Sequence, residues 1–434
     1  MMVIRKSTRK RILILGAGFA GLYTALHLER MLDKDTLAEV ALVDQHYYHL
    51  FTPMLHEAAT GVIQPGLIMT PIRRILRGKW IHFLHARVEH IDLEAREVTL
   101  CCRQMPYDVL VVALGSVSEF YGLDSIRQKA LEIKGAQDAD RLRCHVINRF
   151  EAATRESNPH RRKKLLTFVV VGGGCTGVET VTELHEYLEH LHKEQYSLID
   201  PAEVQTVLVE AQSCVLSQMG HTLSEVALRR MEKMGIEVLL DASVTRFGED
   251  GLEFANGRER LLADTVVWAA GVRASPLLAD LSLEKDRMGR IVVGSDLRVP
   301  GHPEVYVLGD AAHAEHPRTG EVYPPTAQVA YRQAPVAAAN IAADFQGGAH
   351  KQFDFTYIGD LVSLGRLSGV ADPFRLRLRG FPAWLLWKFY YLVSLVGWQN
   401  RLRVALNWLL ALVSPIDSSL PQQCPTDCMG ELCL

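Results

Sequence analysis

The sequence predicts an α/β fold: two Rossmann-like dinucleotide-binding domains followed by a C-terminal helical module. Three stretches carry that prediction. "RILILGAGFAGLYTALHLERML" and "LLTFVVVGGGCTGVETVTELHEYL" each run from an apolar strand through a glycine loop into a helix. "FPAWLLWKFYYLVSLVGWQNRLRVALNWLLALV" (381–413) is the most apolar and aromatic part of the chain. The 434 residues, 48% apolar and 22% charged, suit a globular protein of several domains. A net charge of −3 supplies no broad basic field, so no nucleic-acid partner is expected. The eight cysteines show no disulfide framework, which favours a reducing compartment.

The chain opens with a basic start and an apolar run, a pattern shared with secretory signals. The run is better read as a buried strand, because a nucleotide loop follows it at once. Ile12 to Leu15 form a continuous apolar strand, as in a parallel sheet covered on both faces. Gly16, Gly18 and Gly21 supply G-x-G-x-x-G. The first glycine permits the tight turn, the second lets backbone approach a pyrophosphate, and the third lets helix pack on strand. The helix N-terminus offers N–H groups to the anion. The next strand, "EVALVDQ", ends at Asp44, where a carboxylate can accept ribose hydroxyls. Asp44 lies 28 residues beyond Gly16, so the connection between the strands is extended.

The pattern repeats. Phe168 to Val171 form a strand, Gly172, Gly174 and Gly177 are the glycines, and "EVQTVLVEAQ" ends a second strand at Glu210. One such loop is weak evidence; two, each with strand, helix and terminal acid, are strong. A carboxylate at Glu210 suits the free 2′-hydroxyl of NADH and repels the 2′-phosphate of NADPH. Ala211 and Gln212 add no positive charge, so NADH is the expected cofactor of the second site.

The apolar C-terminal stretch is interrupted by Lys388, Gln399, Asn400, Arg401, Arg403 and Asn407. Its cleanest piece, Ala383 to Trp398, would give roughly 24 Å of helix against about 30 Å of hydrocarbon. Lying on a membrane therefore fits better than spanning it. Trp384, Trp387, Tyr391, Leu395 and Trp398 are spaced to form one face, which Leu402, Leu406, Leu409 and Val413 continue. Tryptophans favour the headgroup boundary, and the basic residues attract anionic lipid. Both faces of the first segment are apolar, so part of it could pair with a second copy in a homodimer. The tail "CPTDCMGELC" matches no zinc spacing, and no metal site is expected.

Two loops in one chain resemble the two-dinucleotide-binding-domain flavoproteins. "YDVLVVALGS" (107–116), "DTVVWAAGV" (264–272) and "VYVLGDAAH" (305–313) are similar to further marks of that superfamily. The resemblance implies FAD on the first loop, with Gly115 and Gly309 beside it and Asp310 on its ribityl chain, and Gly271 beside NADH. More closely, residues 10–415 resemble type II (non-proton-pumping) NADH:quinone oxidoreductases. "HLFTPMLHEAATG" (49–61), "GGGCTGVE" (172–179), "PPTAQVAYRQ" (324–333), "GDLVSLG" (359–365) and "GWQNRLRVALNWLL" (397–410) carry that likeness.

The resemblance implies a peripheral enzyme on the cytoplasmic face of the cell membrane, passing electrons from NADH through FAD to a membrane quinone. It makes Glu179 and Gln328 catalytic candidates, places Val88 and Ala327 against FAD, and gives Gln328, Ala330 and Arg332 to the quinone. The plainer role for Glu179 is a favourable charge in the first helical turn, worth about 0.3–1 kcal/mol. Cys175 stands where the family has proline or another small residue, and Arg332 where the second glutamine of its A-Q-x-A-x-Q motif falls. Thiol-directed relatives commonly carry a cysteine pair on the helix after the first loop, which has none here, and sulfide-directed relatives also need reactive cysteines against the flavin. A sulfide or other non-NADH quinone reductase is the first alternative reading. A membrane-associated nucleotide sensor with little turnover is the second. The expected domains are 10–120 with 290–345 for FAD, 160–290 for NADH, 350–415 for the membrane module and 416–434 as a tail. "RESNPHRRKK" (155–164) is the expected linker.

Overall fold

The computed structural model describes residues 10–32, 38–255 and 257–411. Val413, the 416–434 tail with its cysteines, and the basic start at 1–9 lie outside the described residues. The chain forms two compact units. One holds residues 10–50, 70–117 and 272–357, the other 51–69, 118–271 and 358–411. These divisions differ from the sequence expectation, and residues 272–290, expected with the second glycine loop, fall in the first unit. The 51–69 segment and the C-terminal module both belong with the second glycine loop.

The first unit is built on a six-stranded sheet. In spatial order its strands are Arg298–Val299, His302–Val307, Val109–Val112, Lys10–Leu15, Ala38–Asp44 and His82–His85. All neighbours are parallel except the first pair. The five parallel strands, numbered by their place in the chain, run 3-2-1-4-5, the doubly wound order. That order reverses between Lys10–Leu15 and Val109–Val112, where the Gly16 loop leaves the sheet. Ile12 to Leu15 and Leu110 to Val112 are essentially buried, as unbroken apolar strands covered on both faces should be. The helices Phe19–Met31 and Ala327–Gln346 pack on each other. An antiparallel meander, Val88–Asp92, Glu97–Leu100 and Arg103–Pro106, is appended. Cys101 and Cys102 form the exposed two-residue turn between its last two strands.

The second unit repeats the plan in four parallel strands, Glu237–Leu239, Gln205–Val209, Thr167–Val171 and Thr265–Trp268, in order 3-2-1-4. Its glycine loop leaves Thr167–Val171 and opens the helix Cys175–Glu194. The expected linker is largely helix, Pro159–Leu165. Asn158 Oδ1 caps it by accepting the His160 and Arg161 N–H groups at 2.9 and 3.3 Å. Proline at the first helical position and an asparagine cap outweigh the like charges of the following basic run.

The C-terminal part of this unit is a three-stranded antiparallel sheet, Leu361–Ser363, Gly369–Ala371 and Leu378–Arg379, then helices Phe381–Ser394 and Trp398–Ala411. Gly397, at φ +88°, separates the two helices. No helix among the described residues is long and apolar enough to cross a membrane. The expected lipid-facing side is corrected in part. Trp387 and Leu395 are fully buried, because they pack inside the unit rather than outward. On Phe381–Ser394 the exposed apolar face is the opposite one, Phe381, Leu385, Phe389, Tyr390 and Val393, whereas Trp398, Leu402, Leu406 and Leu409 are exposed as expected.

Candidate functional site

Each glycine loop divides its three glycines into two kinds. A Cβ at Gly16 would lie 2.2 Å from the Ala113 carbonyl oxygen, and one at Gly21 would lie 1.9 Å from the Gly16 oxygen. In the second loop the corresponding clashes are Gly172 on Ala269 at 2.4 Å and Gly177 on Gly172 at 1.8 Å. Gly16 and Gly172 also have φ of +97° and +116°. These four are glycine because of the protein itself. Gly18 and Gly174 differ: a Cβ there would meet nothing within 4 Å among the described residues. Their backbones, at φ −71° and −73°, suit any L-residue. Each precedes a helix N-terminus with no side-chain cap. Open space beside uncapped N–H groups is what a pyrophosphate requires, so both loops fit a dinucleotide.

The acids expected on ribose also hold the loops. Asp44 Oδ2 accepts the Ala17 N–H at 2.6 Å, and Oδ1 accepts that of His46 at 2.7 Å. Glu210 repeats this with the Gly173 N–H and, at 2.7 Å, the Gln212 N–H. Sequence reasoning missed His49 beneath the first loop. Its Nδ1 hydrogen-bonds the Ala17 carbonyl at 3.0 Å, and its buried Nε2 has no partner among the described residues. Burial pushes its pKa down, so the ring is neutral with Nδ1–H donating.

In the first unit, Ser116 Oγ donates to Asp310 Oδ2 at 2.6 Å. Gly309, at φ +66°, has its N–H bound to Gln333 Oε1 at 2.6 Å. A Cβ on Gly309 would lie 3.3 Å from the Ala330 Cβ and 3.4 Å from that of Ala20. Ala330 is therefore small for close packing as well as being a quinone-site candidate. Ala327 opens the helix after its Thr326 cap, and Gln328 is half-buried one residue on. Arg332 is exposed, with its guanidinium 5.3 Å from the Phe355 ring centroid. The second glutamine that the unit buries is Gln333, one position later than the family motif. Val88 is buried at the start of its strand, and Gly115 has φ +65°.

In the second unit, Gly271 lies against Tyr121, whose hydroxyl would be 2.5 Å from an added Cβ. Glu179 is buried in the first turns of Cys175–Glu194, with its carboxyl Oε1 committed to hydrogen bonds. Oε1 accepts the Trp387 Nε1–H at 2.7 Å and the Ser363 N–H at 3.1 Å, so "GDLVSLG" positions it. Oε2 faces His56 Nδ1 at 3.7 Å. Burial, with Glu57 and Asp360 adding repulsion, pushes the Glu179 pKa up to about 8 against the two hydrogen bonds.

Next to it lies a cluster that no sequence pattern announced. Glu57, fully buried, binds the Lys388 ammonium through Oε1 and accepts Trp408 Nε1–H at 2.9 Å through Oε2. Lys388 Nζ is 4.3 Å from the Trp408 ring centroid and 5.1 Å from that of Trp387. Lys388 was expected as a polar interruption of an apolar helix; the structure buries it as the cation of this cluster. Glu183 is also buried, and ligand atoms of His56, Glu57 and Glu183 lie within 4.8 Å of one another. Burial, then the charges of Glu186 and Glu57, push the Glu183 pKa well up. Burial and Lys388 push His56 down to about 3, so its ring is neutral. Cys175 remains a thiol: burial raises its pKa, and its Sγ accepts from Gln218 Nε2 at 2.9 Å.

A pH-dependent stability follows. Glu179 binds its proton more tightly folded than unfolded, so its contribution is full below the ordinary carboxylate range and is lost as pH rises toward 8. At about 1.4 kcal/mol per pKa unit, Glu179→Gln should remove at least ~2 kcal/mol of the stability fall between pH 5 and 8. Denaturant unfolding across that range checks it; parallel curves for parent and variant would refute it.

The paired loops on parallel sheets define the pyridine nucleotide-disulphide oxidoreductase class, and the model of that family matches residues 10–334. Type II NADH:quinone oxidoreductase Ndh of Mycobacterium tuberculosis is 36% identical over 94% of this chain and 89% of its own length. A protein of the same description from Staphylococcus epidermidis is 32% identical over 88% of this chain and 94% of its own. The chain belongs to the type II NADH:quinone oxidoreductase family. In fold it matches the structure of NDH2 from Plasmodium falciparum in complex with NADH, at TM-score 0.85 and 19% identity, covering 95% of this chain and all of that one. A sulfide:quinone oxidoreductase from Aquifex aeolicus matches at TM-score 0.72 and 18% identity, covering 96% and 98%.

Proposed function

We propose that this protein oxidises NADH and reduces a membrane quinone, with FAD between the two. The observation that carries the reading is the pair of second glycines, Gly18 and Gly174, which protein packing leaves unexplained and which a bound pyrophosphate explains. FAD, when bound, accepts a hydride and passes on its two electrons, chemistry that no side chain supplies.

Gly18 and the N-terminus of Phe19–Met31 hold the FAD pyrophosphate, with Asp44 on the ribose, Asp310 on the ribityl chain, and Val88, Gly115, Gly309 and Ala327 lining the site. Gly174 and the N-terminus of Cys175–Glu194 hold that of NADH, with Glu210 on its ribose and Gly271 beside it. Glu210 has no cation to pair with a 2′-phosphate in its loop, which favours NADH over NADPH. Glu179, protonated at neutral pH, can supply a proton. Gln328 hydrogen-bonds a quinone carbonyl, and Ala330 keeps its helix close-packed. Arg332, exposed above Phe355, replaces a neutral amide with a fixed cation at the edge of that site.

The exposed apolar face from Phe381 to Leu409 lies on the cytoplasmic surface of the cell membrane, with part of it available to a second copy. Anaerobic addition of NADH should remove the flavin absorbance, and a short-chain quinone should restore it. Failure of the first step defeats the reading; failure of the second defeats only the acceptor. Gln328→Ala should slow quinone turnover by about tenfold or more while NADH still reduces the flavin within twofold. Equal loss in both steps would remove Gln328 from the quinone site.

A further inference from the structure

Tyr121 combines exposure with backbone strain. Its side chain is 64% exposed, and its φ is +52°. A positive φ is a strained conformation for a bulky L-residue. The cause is a tight turn. The Leu123 N–H donates to the Phe120 carbonyl at 2.8 Å, and Gly122 also has a positive φ, +75°. Turns with both central residues at positive φ favour glycine, asparagine or aspartate where this chain has tyrosine. Core packing does not account for the choice. Phe120 and Leu123, on either side, pack against the core of the second unit, whereas Tyr121 turns outward.

Its neighbours nevertheless fix it. The Glu119 N–H donates to the Gly271 carbonyl at 3.0 Å, and Trp268 Nε1–H donates to the Glu119 carbonyl at 2.7 Å. Phe120 stacks on the Trp268 ring with centroids 6.0 Å apart. Glu119 Oε1 accepts the Tyr121 N–H at 2.7 Å, and the Tyr121 hydroxyl donates to the Ala270 carbonyl at 3.0 Å. Strain held in this way by its surroundings is characteristic of ligand clamps.

The place it is held is the second glycine loop. That loop packs on the same residue as the phenol: a Cβ on Gly172 would lie 2.8 Å from the Ala270 Cα. The next residue of the loop, Gly173, gives its N–H to Glu210 Oε2. Burial of the hydroxyl end, then the charges of Glu119 and Glu210, push the Tyr121 pKa up, so the phenol stays protonated and keeps its bond to Ala270. The loop therefore gathers the carboxylate assigned to a ribose, the Gly271 turn and an exposed aromatic face. A purine stacks on such a face through its own π-system.

We propose that Tyr121 is the stacking platform for the adenosine half of NADH. This rests on the reading of the second loop as the NADH site. The ring makes the contact, and the hydroxyl moors it to Ala270. Because the ring is fixed beforehand, little side-chain freedom is lost when the base arrives. Residue 271 is glycine for the same reason, since a Cβ there would lie 2.5 Å from the phenol oxygen.

The test uses Tyr121→Gly and Tyr121→Phe in the FAD-loaded enzyme, with calorimetric titration of ADP-ribose, which has the adenosine half and no nicotinamide. Glycine is the residue the turn favours, so the thermal midpoint of Tyr121→Gly should stay within about 3 °C of the parent's, relief of strain offsetting the lost hydrogen bond. Its affinities for ADP-ribose and for NADH should each fall at least about fivefold, the low end of what one base–aromatic stack supplies. Tyr121→Phe keeps the ring and should hold ADP-ribose within about threefold of the parent. In the parent, ADP-ribose should protect Tyr121 from hydroxyl-radical oxidation, read by mass spectrometry of its peptide, and leave the exposed Tyr47 unprotected. Parent affinity in Tyr121→Gly overturns the platform, as does a loss of NADH affinity that spares ADP-ribose. An equal loss in Tyr121→Phe overturns it too, because the hydroxyl and not the ring would then carry the contact. Absence of Tyr121 protection in the parent also overturns it, and that result needs no variant to fold. If the parent binds neither NADH nor ADP-ribose, the functional reading fails first and the platform falls with it.

Discussion

Gly177→Ala should abolish NADH binding and destabilise the second unit, whereas Gly174→Ala should lose the cofactor and keep the fold. A Cβ on residue 177 would sit 1.8 Å from the Gly172 carbonyl oxygen, about half a normal contact, against backbone with no rotamer to escape into. Helix and strand would have to separate there, at a cost of about 3 kcal/mol or more for forced overpacking. A Cβ on residue 174 meets open space, and its backbone conformation is ordinary for alanine. Its stability should therefore change by no more than about 1 kcal/mol, the scale of a helix-cap substitution. If this loop cradles a pyrophosphate, the methyl takes up room that the phosphate needs, so NADH affinity should drop by about tenfold or more, equivalent to ~1.4 kcal/mol. Thermal unfolding with an NADH fluorescence titration separates the two. If Gly174→Ala binds NADH like the parent, the second loop is not a pyrophosphate cradle.

Lys388→Met should destabilise the protein by about 3–5 kcal/mol, the cost of leaving a buried carboxylate without its cation. Glu57 is fully buried between Lys388 and Trp408, and the loss of the ammonium leaves the indole N–H as its side-chain partner among the described residues. The double variant Glu57→Gln/Lys388→Met should recover most of that loss, because a neutral amide can still accept from Trp408. Denaturant unfolding of both singles and the double gives the coupling energy. Additive effects would mean that the pair does not act as a unit. A large recovery would show that helix Leu55–Ala59 and helix Phe381–Ser394 are matched through one ion pair.

The parallel cores and the two loops were legible because their causes are local. A run such as Phe168–Val171 can be buried on both faces only in a covered parallel strand, and the glycine spacing reports the turn directly. Glu210 and Asp44 were found for the same reason, each closing a strand beside its loop. Two carboxylate–amide contacts to the loops were not found, since nothing in the spacing says which N–H an acid will meet.

What the sequence by itself determined is the pair of dinucleotide folds, the order of their parts, and the acid that closes the second strand beside each glycine loop. Period, glycine placement and strand-end chemistry act within a few residues of one another, so the chain spells them out. Only the tertiary structure decided the rest. Lys388 reads as a charge that spoils an apolar helix until Glu57, 331 residues away in the chain, is brought against it. Trp387 reads as a membrane anchor until Glu179 accepts its N–H in the interior. Burial of a charge or an indole depends on a partner that arrives from a distant segment, and no local pattern encodes that arrival.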